Sequence, residues 1–210
     1  MNCQMIVLEG PPVAPAADSN NKVGNLMAET NIRDAALIHF ARNGYEGASL
    51  ADIAEDVGIK KPSIYAHYKG KDDLFMSVVE YACISIRQRI IGYFILNQEL
   101  PLRIKLEGFF DWLQTEYETD ETMKFLLRVL FFPPARLHQQ VMGISNPFIE
   151  RMERVLIYML RNQVKDPKNV GIAYLTIVDG CLVELIYAGA DKYQRRLQSI
   201  LPIFWRGIQE

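Results

Sequence analysis

From Thr30 onward, apolar residues recur at three- and four-residue intervals, the period of helices that bury one face. Ile32, Ala36, Leu37, Phe40 and Ala41 make the first such stripe. Thr30 is its expected N-cap, and Gly44 its expected C′ residue. Leu50, Ile53, Ala54 and Val57 make the second, opened by Ser49 and closed by Gly58. A third short helix is expected after Pro62. A long one follows over about 72–95, with Asp72 and Asp73 suited to the positive end of its dipole. Pro101 marks the start of a helix over 102–118. Asp120 opens another that runs to Phe131, where Pro133-Pro134 stops it. A segment at 135–142 passes Asn146-Pro147 into a helix over 148–164. Two more are predicted, over 169–190 and from Tyr193 to about Gly207. No alternating apolar and polar run bounded by hairpin turns is present. The expected class is all-α: a small three-helix bundle at 29–75 and a larger helical domain at 76–210.

Residues 1–28 break the pattern. Gly10-Pro11-Pro12 and Pro15-Ala16-Ala17 precede the polar run Asp18-Ser19-Asn20-Asn21, a composition with too little apolar surface to offset the entropy of ordering. Two readings stand side by side: a disordered tail, or sequence upstream of a native start at Met27.

Half of the 210 residues are hydrophobic and 23% are charged, the balance of a globular chain. The formal net charge is −2. A polyanion binder is usually basic, so any nucleic-acid contact has to come from a local patch. The three cysteines, Cys3, Cys83 and Cys181, form no C-x-x-C pair. Neither a disulfide framework nor a zinc site is expected, and a cytoplasmic setting fits. There is no run of about 18 uncharged apolar residues of the kind that spans a bilayer. The stretch Met5–Leu8 is too short for a signal segment and has no basic residue before it. No catalytic constellation, metal cluster or phosphate-cradling glycine loop is apparent, so no enzyme activity or cofactor is expected.

The segment 49–71 carries the chemistry. Ser49 and Asp52 form a shortened capping box. Gly58 permits a left-handed turn, Ile59 fills the angle between two helices, and Pro62 presets the second helix. This is a helix-turn-helix plan, whose second helix enters the major groove. Lys60, Lys61, Lys69 and Lys71 lie in the stretch from Ile59 to Lys71 with no acid among them, whereas Asp52, Glu55 and Asp56 mark the polar face of the helix before it. An acidic chain has thus gathered positive charge where phosphate neutralisation would release counterions.

The order Ser49–x–x–Asp52-Ile53-Ala54–x–x–Val57-Gly58-Ile59, then Ser63-Ile64-Tyr65–x–His67-Tyr68, Lys71 and Leu74, resembles the DNA-binding signature of TetR-family regulators. The resemblance implies an N-terminal helix-turn-helix bundle and a C-terminal ligand-binding and dimerisation domain over about 29–208. It implies a DNA-facing set of Ser49, Lys60, Lys61, Pro62, Ser63, Tyr65, His67, Tyr68 and Lys71. In that set Tyr65, His67 and Lys71 match backbone-contacting positions, and 61–63 match positions near bases. Leu74 and Phe75 resemble the positions that dock the fourth helix. The chain departs from the pattern at Lys60, where a hydroxyl cap is usual, at Pro62, where glycine is usual, and at Tyr68, whose hydroxyl replaces phenylalanine and needs water or a partner.

Aromatics and methionines are frequent between about 100 and 190: Phe109, Phe110, Trp112, Tyr117, Met123, Phe131, Phe132, Met142, Phe148, Met152, Tyr158, Met159 and Tyr187. Each taken alone reads as core. Together they suit an apolar effector pocket, and by analogy with the family Trp112, Glu116, His138, Met142 and Tyr158 are its expected lining. The run Ile172–Tyr187 is apolar around most of its circumference and must be covered on several sides. With Leu197, Ile200, Leu201, Phe204 and Trp205 of the last helix, it is the expected face of a homodimer. The expected function is a DNA-binding transcriptional regulator: a repressor on a palindromic operator, released by a small, largely apolar effector, with no membrane partner. The alternative is a scaffold of the same fold acting through a protein partner, or an activator.

Overall fold

The computed structural model describes residues 18–209. Among the described residues nine α-helices follow one another: α1 Asp18–Gly47, α2 Leu50–Val57, α3 Lys61–Ile64, α4 Lys71–Leu96, α5 Leu102–Thr119, α6 Glu121–Phe131, α7 His138–Leu160, α8 Pro167–Ala188 and α9 Ala190–Gln209. A 3-10 turn, Ala135–Leu137, leads into α7. The described residues include no strand.

Local signals set most of these boundaries. Ser49 caps α2, its hydroxyl accepting the Ala51 amide at 3.1 Å. Gly58, at φ 74°, closes α2 with a Schellman pair: its own amide donates to Glu55, and that of Ile59 to Ala54, both at 2.9 Å. Asp120 caps α6 through the Met123 amide at 2.9 Å. Asp166 caps α8 through the Asn169 amide at 3.1 Å.

Two expectations are corrected. Thr30 does not start a helix: α1 begins at Asp18, and the Thr30 hydroxyl donates back to the Leu26 carbonyl at 2.9 Å. Residues 18–28 contain no proline, so the helix nucleated by the buried stripe propagates toward its N-terminus at little cost. The tail expected over 1–28 is therefore helical from Asp18 on, and its proline-rich part lies outside the described residues. Nor does Pro147 start a helix, because α7 runs straight through it. A proline inside a helix costs about 3 kcal/mol. Gly143 and Pro147 are both exposed, so water can take the freed carbonyl, while Val141, Ser145, Leu156 and Leu160 anchor the buried side.

The expected division at residue 75/76 falls inside α4, which contributes to both regions. At its N-terminal end an aromatic core joins α1, α4 and α6. Phe40 and Phe75 meet edge-to-face at 5.0 Å, and Phe75 meets Phe125 at 5.6 Å. Farther along, two buried tyrosines fix α5 to the last helices: Tyr174 donates to the Leu106 carbonyl and Tyr193 to that of Phe110, each at 2.8 Å.

By length and composition α8 could cross a membrane, at mean hydropathy 1.7; a search for uncharged runs misses it because Asp179 and Glu184 interrupt the sequence. Tyr174, Val178, Cys181, Leu182 and Leu185 are buried in the bundle, while Ile172, Ala173, Thr176, Gly180 and Tyr187 remain exposed.

Candidate nucleic-acid interface and apolar cavity

Helix α3 is one turn long and continues as tight turns through His67, whose amide donates to Ile64 at 2.9 Å. Ile64 is fully buried and holds this turn against the bundle. Lys60, Lys61, Pro62, Ser63 and Tyr65 all face solvent, and Tyr65 is 53% exposed. As the sequence implied, Lys60 offers no side-chain cap to α3. Its ammonium is left to the surface. The acids of α2 also face outward, and Asp56 is tied to His39 Nε2 at 2.7 Å. The arrangement offers a small projecting basic edge with one exposed aromatic.

The other expected contacts are placed differently. Tyr68 is a correction: it is buried, and its hydroxyl donates to the Glu29 carbonyl of α1 at 3.1 Å, so it faces the bundle and not a duplex. The extra hydroxyl relative to phenylalanine thus staples α1 to the end of the reading segment. Lys71 is half-buried; its Nζ donates to the Glu46 carbonyl at 3.2 Å and lies 4.6 Å from the centre of the Tyr45 ring. His67 is half-buried, with Nδ1 enclosed and without a partner. Ser49 is half-buried and occupied as a cap, and no reciprocal bond from Asp52 completes the expected box.

Links between the reading region and the rest of the bundle were not visible in the sequence. Tyr45 donates to Asp72, at the start of α4, and Arg136 pairs with the same carboxylate from the 3-10 turn. Burial, reinforced by the Asp72 bond, pushes the Tyr45 hydroxyl up to about 12, so it stays a donor. Arg128 of α6 donates to the carbonyls of Ala41 and Arg42 at 3.2 and 3.4 Å. Gly44 bends the chain there at φ 70°, and a Cβ on it would lie 3.3 Å from the Arg128 guanidinium.

A cavity of about 410 Å³ opens between α4, α5, α6, α7 and α8. That is within the usual range of small-molecule sites, about 300–1,000 Å³. Its walls are almost wholly apolar, with Ile86, Phe94, Leu127, Met152 and Leu182 among them. Trp112, Glu116, His138, Met142 and Tyr158 do not line it. Trp112 stacks on Phe109 at 5.3 Å, Glu116 pairs with Arg89, and Tyr158 is exposed beneath Arg161. His138 is exposed, and Met142 is half-buried farther up α7. Of the aromatics and methionines between about 100 and 190, Phe109, Met123, Phe131, Phe148, Met152 and Met159 reach the cavity. Cys83 and Cys181 are buried, and burial raises both thiols, that of Cys83 to about 11, so neither is poised as a nucleophile.

Residues 32–78 match the family model described as bacterial regulatory proteins, tetR family. Over 113 residues the chain is 43% identical to the negative transcriptional regulator IcaR of the icaADBC biofilm operon of Staphylococcus epidermidis. That match takes in 52% of this chain and 57% of IcaR, so the chain spans little more than half the length of this curated relative. Among solved structures, a TetR-family transcriptional regulator from Agrobacterium tumefaciens superposes with a TM-score of 0.64 at 17% identity, over 87% of this chain and 98% of that one. FadR from Bacillus subtilis, in complex with stearoyl-CoA, superposes with a TM-score of 0.58 at 17% identity, over 80% and 95% of the two chains. At such identity these structures establish the common fold. Residues 32–78 thus carry the helix-turn-helix signature of the tetR family model, and the described chain shares the helical architecture of these solved regulators.

Proposed function

We propose that the chain is a DNA-binding transcriptional repressor that holds a palindromic operator as a homodimer and releases it when a small molecule fills the α4–α8 cavity. The observation that carries this reading is the solvent-facing set Lys60, Lys61, Pro62, Ser63 and Tyr65, a basic, aromatic-bearing edge on a chain of net charge −2. Lysines there neutralise phosphates, and the short turn carries Pro62 and Ser63 toward base edges. The negative regulator IcaR, 43% identical over 113 residues, supports repression.

One such module reaches few phosphates and bases, which favours a pair. The exposed side of α8 is rich in small and apolar residues, and α9 adds the exposed Ile203. A twofold axis through these helices would present two reading turns to successive major grooves, about 34–36 Å apart. Helices α4 and α6 line the cavity and also hold the reading region, α4 through Asp72 and α6 through Arg128. A ligand that spreads them acts on the spacing of the two reading turns, and it lowers operator affinity to the extent that it prefers the spread state.

A gel shift with the DNA upstream of the chain's own gene, at rising salt, tests the reading together with light scattering. Sequence-specific binding that weakens steeply with salt is expected, from a species of twice the chain mass. Tyr65→Ala should cost about 1–3 kcal/mol in operator affinity while leaving that mass unchanged. Indifference to every duplex offered would refute the repressor reading.

A further inference from the structure

The cavity walls carry very little polarity, and what they carry is one-sided. Among the lining residues Asp179 is the single ionisable acid, and there is no Lys, Arg or His. Tyr174 already spends its hydroxyl on the Leu106 carbonyl. Gln98 is the other polar group, and both Gln98 and Asp179 are solvent-exposed, as are Ile91, Ile95 and Ile149 of the same lining. The exposed set describes a mouth, an apolar rim with one amide and one carboxylate. The deeper set, including Ile86, Leu126 and Leu182, is apolar throughout.

Asp179 makes no hydrogen bond or ion pair among the described residues. Although solvent reaches its side chain, the neighbouring apolar atoms desolvate the carboxylate enough to raise its pKa above the ordinary range. An unpaired carboxylate beside an apolar hollow is electrostatically unsatisfied. A cation placed beside it gains from the reduced dielectric, whereas an anion is repelled and finds no positive partner on the lining.

We infer that the cavity takes a lipophilic monocation, an amine or quaternary ammonium on an apolar body, with the body among the walls of α4, α5, α6, α7 and α8 and the charged head against Asp179 at the mouth. The inference rests on reading the cavity as the effector site.

Calorimetric titration of the full chain with three probes of equal length, each below its micelle-forming concentration, tests it: dodecyltrimethylammonium, dodecanol and dodecanoate. The ammonium should bind about tenfold more tightly than dodecanoate, the difference expected of one partly desolvated charge pair. Asp179→Asn should remove that preference and leave the affinity for dodecanol unchanged. Equal or tighter binding of dodecanoate by the unaltered chain overturns the inference without any variant. Loss of preference is read only if Asp179→Asn keeps its circular dichroism and melting temperature; should it unfold, Asp179→Ser replaces it. An operator gel shift with the ammonium separates the two levels. Tight Asp179-dependent binding that leaves the DNA complex intact sinks ligand release and keeps the site. Operator binding with no preference for the cation sinks the site and keeps the repressor.

Discussion

Helices α4 and α6 take part in two apolar assemblies of opposite character. Where they meet α1, the space is filled: Phe40, Phe75 and Phe125 are at most 1% exposed and lock edge-to-face or tilted. Where they meet α7 and α8, the space is a hollow of about 410 Å³. Packed interiors deform in discrete steps, since every atom has a neighbour in contact. The filled end therefore carries displacement as a unit, and the hollow end has room to accept one. One pair of helices thus spans a packed block and a hollow, the arrangement that the proposed ligand release requires.

The contrast can be broken most severely at Phe75. Phe75→Ala should cost about 3–5 kcal/mol, read by chemical denaturation, with the reading segment and the cavity region losing structure in one transition. Arg128→Met removes the bonds to the Ala41 and Arg42 carbonyls. Because Arg128 is exposed, the expected loss of stability is only about 1 kcal/mol. The larger consequence is functional: ligand titrations should be unchanged while the ligand's effect on operator affinity shrinks. Met152→Ala, on the wall of a space already empty, should cost less than about 1 kcal/mol, since few packed neighbours are lost. A loss comparable with that of Phe75→Ala would mean that the hollow is not a void in solution. The smallest effect is set by pH. Bonds from Asn169 hold the Asp166 carboxyl below the ordinary carboxylate range. Its contribution is full above the unfolded value near 3.8 and fades as pH falls through the lower folded one. The amide protection of the first turn of α8, followed by hydrogen exchange, should decline only on strong acidification.

These two assemblies also differ in how much of them could be read from the chain. The reading region is built from signals that act within a few residues. The cap at Ser49, the left-handed Gly58 and the proline at 62 each dictate their own turn, and all three fall where expected. The exposure of Lys60, Lys61, Pro62, Ser63 and Tyr65 followed from the same local logic. Tyr68 did not, because its burial depends on Glu29, 39 residues away in sequence. The cavity lining depends on the relative rotation of five helices, α4 to α8, which no single stripe encodes. Analogy therefore selected Trp112 and Glu116, whose partners turn out to be Phe109 and Arg89. Pro147 misled for a related reason: a helix breaker judged alone is outweighed once α7 is held on its other side.

Arg128 and Arg136 have a consequence for anyone who would treat the N-terminal third as an interchangeable part. Both belong to the body by position, yet they grip the head, at the carbonyls of Ala41 and Arg42 and at Asp72. A chimera joined within α4 that imported a foreign head would inherit guanidinium groups shaped for a glycine bend at residue 44 and a carboxylate at residue 72. Specificity can be transplanted between such proteins only when those two receptors travel with it.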